Sequence, residues 1–148
     1  MFKTGPIVII DDDPDDQQLI QEALESLYVT NSLLFFSQGS AALQYLKNTN
    51  EQPFIIICDI NMPGMNGLDL LTKIHTELPL QKRSVPFIFF STSAMPDAIQ
   101  KAYSLFAQGF FVKPHAMADT KRVLQLIINY WQTCRHPNNK ELELVSYR

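Results

Sequence analysis

Short, unbroken apolar runs separated by stretches of helical spacing constrain this chain more than any other feature. Ile7–Ile10, Phe54–Cys58, Val85–Phe90 and Phe110–Val112 are continuous rather than alternating, and Leu33–Phe36 is a weaker fifth run. A strand that alternates buries one face; a strand apolar throughout buries both. Between the runs, apolar residues recur every three or four positions. Leu19, Ile20, Ala23, Leu24 and Leu27 form one stripe, and Ala41, Ala42, Leu43, Tyr45 and Leu46 a second. Leu68, Leu70, Leu71 and Ile74 form a third; Ala98, Ile99, Ala102, Tyr103 and Leu105 a fourth. Val123, Leu124, Ile127, Ile128 and Trp131 form the last. Strand then helix, repeated five times, implies an α/β fold: a doubly wound five-stranded parallel sheet with five helices.

The punctuation supports this. Asp13 is placed to cap the first helix, Pro14 to occupy its first turn, and Asp15 and Asp16 to meet the positive end of its dipole. Pro79 to Ser84 reads as a separator before the fourth strand. At 148 residues the chain suits one domain over 1–135, followed by a polar tail over 136–148 and no output domain. The net charge of -3, with no Lys/Arg run, argues against a nucleic-acid or anionic membrane partner. No run reaches transmembrane length and the start lacks a signal-peptide pattern, so a cytoplasmic location is expected. Cys58 and Cys134 have neither disulfide-framework nor zinc spacing and read as core residues. His75, His115 and His136 share no ligand spacing and read as surface residues.

Chemistry collects where the strands end. In an open parallel sheet of this kind, ligands bind outside the carboxyl ends of the strands, where strand order reverses. With the first strand beside the third, "IVIIDDD" and "IIICD" bring Asp11, Asp12 and Asp59 to one crevice. Carboxylates that close repel one another unless a cation intervenes, and hard oxygen donors suit Mg²⁺. The fourth run ends "FIFFSTS" and the fifth "GFFVKPH", which adds Ser91 and Lys113 to the same edge. A metal and Lys113 can neutralise a phosphoryl group while Asp59 attacks it and Ser91 bonds one of its oxygens.

With these groups in place the sequence resembles the receiver domain of two-component response regulators, over roughly residues 6 to 134. "DDD", "CDINMPGMNG", "FFSTS" and "FVKP" stand in that family's order and spacing. The resemblance implies a flavodoxin-like sheet of order 2-1-3-4-5. It implies Asp59 as phosphoacceptor, Asp12 as direct Mg²⁺ ligand, Asp11 as its acidic partner and Asn61 as a backbone-carbonyl ligand. Ser91 and Phe110 match the switch positions, Lys113 the phosphoryl-stabilising lysine. Lys113–Pro114 is implied to be cis, and Pro63 and Gly67 belong to the turn after Asp59. The implied donor is a sensor histidine kinase or a histidine phosphotransfer protein. The implied output is binding of a second copy or a downstream protein through the fourth helix, fifth strand and fifth helix. Thr92 and Phe106 depart from the usual small residues at their positions.

Two other readings compete. Asp11-x-Asp13 also resembles the aspartyl-phosphate motif of haloacid-dehalogenase-type phosphatases, with Asp11 as nucleophile and Asp13 as acid; that reading leaves "CDINMPGMNG" without a role. A receiver that binds partners without phosphorylation is the other, and the complete set of edge residues argues against it. The first reading makes the chain a signalling module rather than a turnover enzyme.

Overall fold

The structure is a computed structural model that describes residues 4–137. Its sheet runs in the order β2-β1-β3-β4-β5, all parallel, from β1 (Ile7–Ile10), β2 (Leu33–Phe36), β3 (Ile55–Cys58), β4 (Phe87–Ser91) and β5 (Gly109–Val112). The connections are α1 (Pro14–Ser26), α2 (Gly39–Asn48), α3 (Gly67–Glu77), α4 (Leu80–Arg83) and α5 (Pro96–Ser104), and α6 (Met117–Thr133) closes the fold. The expected architecture and strand order are present.

Continuous apolar strands serve two cores at once. Val8, Ile10, Ile56, Cys58, Phe87 and Phe89 face α2, α3 and α5, where Ala42, Leu46, Leu70, Ile74 and Ala102 are buried. Their neighbours Ile7, Ile9, Ile55, Ile57, Ile88 and Phe90 face α1 and α6, where Leu24, Leu124 and Ile127 are buried. Each fully buried Ile or Leu contributes about 1.5–3 kcal/mol, so the central strands anchor both layers. The edge strand β2 is half-buried throughout, and β5 goes from buried Gly109 to exposed Val112.

The structure has six helices among the described residues, not five. The extra one, α4, spans four residues, too few for a hydrophobic period to register. It closes the end of a neighbouring helix. Lys82 Nζ donates to Leu46 O at 2.7 Å and Thr49 O at 2.6 Å, which satisfies open carbonyls where α2 stops. His136, expected at the surface, is buried instead. Its ring lies 5.0 Å from Phe54 and 6.2 Å from Trp131, and Nε2 bonds Phe54 O. An aromatic body with a polar tip suits the foot of the sheet, where a strand-end carbonyl needs a partner. Apart from His136 and Pro137, the tail lies outside the described residues.

Candidate functional site

The carboxyl edge of the sheet carries the site. Asp11 follows β1, and its amide donates to Phe36 O on β2. Asp59 follows β3, with its amide on Ile10 O at 2.9 Å. Adjacent strands therefore deliver both carboxylates to one crevice. Lys113 follows β5, held by its amide on Ser91 O at 2.9 Å, and its side chain crosses β4 to reach them.

Lys113 Nζ bonds Asp11 Oδ2 at 2.6 Å, Asp16 Oδ2 at 2.9 Å and Asp59 Oδ2 at 3.0 Å. Asp11 Oδ1 accepts from the Asp13 amide at 3.0 Å, and Asp59 Oδ1 from the Ile60 amide at 2.7 Å. Each buried carboxylate thus has a donor for both oxygens, as a buried charge requires. Burial pushes the Asp11 carboxyl above its ordinary range, more than its bonds to Lys113 and the Asp13 amide draw it down; the nearby Asp59 charge adds to the rise. Burial works against the charge on Lys113, but its bonds to Asp11, Asp16 and Asp59 outweigh that and hold its pKa above the usual lysine value. Burial, and then the charges of Asp59 and Asp11, push the Cys58 thiol far up, so it behaves as the small core residue expected.

The third carboxylate gathered around Lys113 is Asp16. Asp12, expected in the crevice, is exposed; Asp16 joins Asp11 and Asp59 instead, with one oxygen from each within 4.8 Å of the others. The chain leaves β1 after Ile10 and bends at Asp12, which leaves Asp11 buried and Asp12 exposed. Asp13 then caps α1, its side chain accepting from the Asp15 amide, and the first turn swings Asp16 back over the crevice. Helix-start electrostatics alone does not single out Asp16 as a site residue. Its place three residues after a capping Asp, in the turn that follows Asp11, is the signal that could have found it. Asp13, the acid of the phosphatase reading, is exposed and used as this cap.

The cluster fits a hard divalent cation. Its donors are all carboxylate oxygens, and with every group ionised three negative charges face one ammonium.

The other expected residues sit as follows. Ser91 is fully buried at the end of β4, and its Oγ accepts from the Ser93 amide at 3.3 Å. Phe110 on β5 is half-buried, 6.0 Å from the Phe89 ring. Asn61 and Pro63 are exposed in the loop after Asp59, where Gly64 takes a φ of 73°. Gly67 is required by contact: a Cβ there would lie 2.2 Å from Asp59 O and 2.9 Å from the Phe89 ring. The Lys113–Pro114 peptide, expected cis, is trans, as are all described peptide bonds. Trans is the favoured X–Pro isomer by about 0.5–1 kcal/mol, and Lys113 makes its three bonds with it in place. Thr92 is exposed at a cleft of about 180 Å³ that it shares with Asp16, Lys113 and Pro114. Phe106 is 75% exposed at a φ of 68°, its ring edge-on to His75. On α6, Leu126 and Tyr130 are exposed, on the side away from the core. No described helix is long and apolar enough to cross a membrane.

Known proteins share both this sequence pattern and this fold. The family described as "Response regulator receiver domain" matches residues 7–125. The two-component response regulator ARR7 of Arabidopsis thaliana is 32% identical, covering 93% of this chain and 71% of that protein. Response regulator Rcp1 of Synechocystis sp. is 25% identical, covering 84% of this chain and 87% of its own length. The structure of the phosphorylated cyanobacterial phytochrome response regulator RcpA superposes with a TM-score of 0.82 at 25% identity, over 91% of this chain and 99% of that one. The Mn(2+)-bound form of Rcp1 shares the fold, with a TM-score of 0.79 at 24% identity, over 90% of this chain and 99% of that one.

Proposed function

Since the chain belongs to the response regulator receiver domain family, we propose that it is a phosphorylation-controlled signalling module whose phosphoacceptor is Asp59. The observation that carries this is the bond from Lys113 to Asp59 in a buried crevice that also holds Asp11. An Asp59 oxygen attacks the phosphorus of a phosphohistidine on a sensor kinase or phosphotransfer protein. The new O–P bond forms as the donor's P–N bond breaks, and the imidazole nitrogen keeps the electron pair. Lys113 passes its hydrogen bond from Asp59 to a phosphoryl oxygen. Little covalent chemistry is asked of the protein beyond this alignment and charge stabilisation.

Asp11, Asp59 and Asp12, with the Asn61 carbonyl, would hold Mg²⁺. The excess acid charge at Asp11, Asp16 and Asp59 supports a cation at this crevice, as does Rcp1, a relative solved with Mn²⁺ bound; Asp12 would turn in from its exposed position to reach it. Bound there, the cation would supply charge neutralisation for the carboxylates and the incoming phosphoryl oxygens.

The switch is built from Ser91 and Phe110. Turning Ser91 Oγ toward the phosphoryl group gives up its bond from the Ser93 amide. Phe110, half-buried on β5 beside β4, would turn into the space Ser91 leaves and reshape the surface of α5, β5 and α6. Leu126 and Tyr130 are 60% and 62% exposed there, which suits a second copy or a downstream protein.

The test is labelling by acetyl phosphate with Mg²⁺, read on a phosphate-affinity gel, for wild type, Asp59→Asn and Asp11→Asn. Metal-dependent label that vanishes in Asp59→Asn is expected. Label that persists in Asp59→Asn but not in Asp11→Asn would move the nucleophile to the first strand and favour the phosphatase reading.

A further inference from the structure

An ammonium on a lysine is a point charge with three N–H donors at the end of a flexible stem. On Lys113 each donor meets a carboxylate from a different element: Asp11 after β1, Asp16 in the first turn of α1, and Asp59 after β3. The first and third are set deep, with side chains 2% and 10% exposed; Asp16 closes the solvent side, 33% exposed. It is held by the start of α1, where Asp13 accepts from the Asp15 amide and Pro14 begins the turn. The positive end of the helix dipole favours its charge there.

We propose that Asp16 is a positioning residue for phosphoryl transfer: it holds one N–H of Lys113 so that another stays aimed at Asp59 while the phosphoryl group arrives. With three anchors every N–H of the ammonium has a carboxylate partner; without Asp16 one donor turns to water and only two bonds resist rotation about Cε–Nζ. During transfer only the Asp59 bond is exchanged, from carboxylate to phosphoryl oxygen. The bonds to Asp11 and Asp16 persist and no proton leaves Lys113. The role rests on the reading of Asp59 as phosphoacceptor.

The experiment uses the full chain as wild type, Asp16→Ala and Asp16→Asn. The ¹⁵N ammonium resonance of Lys113 is recorded without metal. The rate of labelling is then measured at saturating Mg²⁺ and saturating acetyl phosphate. Asn keeps an acceptor oxygen in place of the carboxylate; Ala does not. Slow solvent exchange of the Lys113 ammonium is expected in wild type and Asp16→Asn and its loss in Asp16→Ala. The saturating rate should fall about tenfold in Asp16→Ala and stay within about threefold in Asp16→Asn, the scale expected from loss of orientation alone. If Asp16→Ala does not fold, Asp16→Ser, too short to reach Lys113, takes its place with the same expectation. An unchanged ammonium signal and saturating rate would overturn the proposal. So would a change confined to Mg²⁺ affinity, which would make Asp16 a metal ligand. A wild type that takes no label would fail the phosphoacceptor reading and this role with it, whereas a labelled wild type with an unaltered Ala variant removes only the role of Asp16.

Discussion

Lys113 and Asp11 lie 102 residues apart in sequence, yet Nζ and Oδ2 are 2.6 Å apart. The contact joins the last strand to the first across the intervening carboxyl edge, and both side chains are almost wholly removed from solvent. A buried charge pair adds little net stability over apolar packing, but each partner depends on the other and on further hydrogen bonds to compensate its buried charge. Here the other groups are Asp16 and Asp59, and they leave the site with more negative than positive charge.

The burial of Asp11 sets a pH dependence. Burial raises the Asp11 carboxyl above 3.8, so its folded-state pKa exceeds the unfolded one. Its contribution to stability is complete below 3.8 and is lost as pH rises through the raised folded value. Asp11→Asn, without metal at pH 7, should therefore be more stable than wild type. The gain should shrink toward zero as the pH falls below the ordinary carboxylate range. Thermal melts across that range read it; an equal gain at every pH would assign it to packing instead.

Mg²⁺ should raise the melting temperature of wild type in a concentration-dependent way, by about 2.7 kcal/mol of stability at a hundred times the dissociation constant. Asp59→Asn should abolish the shift. Asp12→Asn should leave metal-free stability within about 0.5 kcal/mol, because Asp12 is exposed. It should still lose most of the metal-induced shift, since turning an exposed carboxylate inward costs little. A full shift in Asp12→Asn would exclude it as a ligand.

Gly67→Ala places a methyl 2.2 Å from Asp59 O, against backbone that cannot step aside without moving Asp59. A loss of about 1–3 kcal/mol in urea unfolding is expected, on the scale of overpacking. Labelling of Asp59 should slow in the protein that remains folded. A variant with wild-type stability and rate would show that the loop relaxes freely.

Lys82→Met keeps the stem of the side chain and removes the two bonds to Leu46 O and Thr49 O. Hydrogen bonds from a charged donor are worth about 1.5–3 kcal/mol, less here for partial exposure, so a loss of about 1–2 kcal/mol is expected. Hydrogen exchange should locate the loss at the end of α2 rather than across the sheet.

Tyr130→Glu puts a charge on the exposed side of α6 and touches none of the acid cluster. Labelling of Asp59 should be unchanged, while phosphorylation-dependent association, read by light scattering or pulldown, should fall. Unchanged association would remove this face as the output surface.

Much of the fold was legible because burial on two faces leaves a direct trace. Strands such as Ile7–Ile10 and Ile55–Cys58 have no polar face to spare, and the helices between them show their stripes. The Asp13–Pro14 start of α1 was legible for the same local reason, since capping and proline geometry depend on adjacent residues. Helix α4 was not, because four residues carry no period, and Lys82 takes its role from carbonyls 33 and 36 residues away in sequence.

In the site, the sequence alone determined that Asp11, Asp59, Ser91 and Lys113 share one edge, because each ends or follows a strand and parallel strands end together. Tertiary structure alone decided that Asp16, not Asp12, completes the ring around Lys113, that Lys113–Pro114 is trans, and that His136 is buried under Phe54 and Trp131. The physical reason is the range of the forces involved. Strand and helix propensity act between near neighbours and are written in the order of residues. The direction of a side chain at a strand end is set by which distant charges and rings it meets once the sheet has closed.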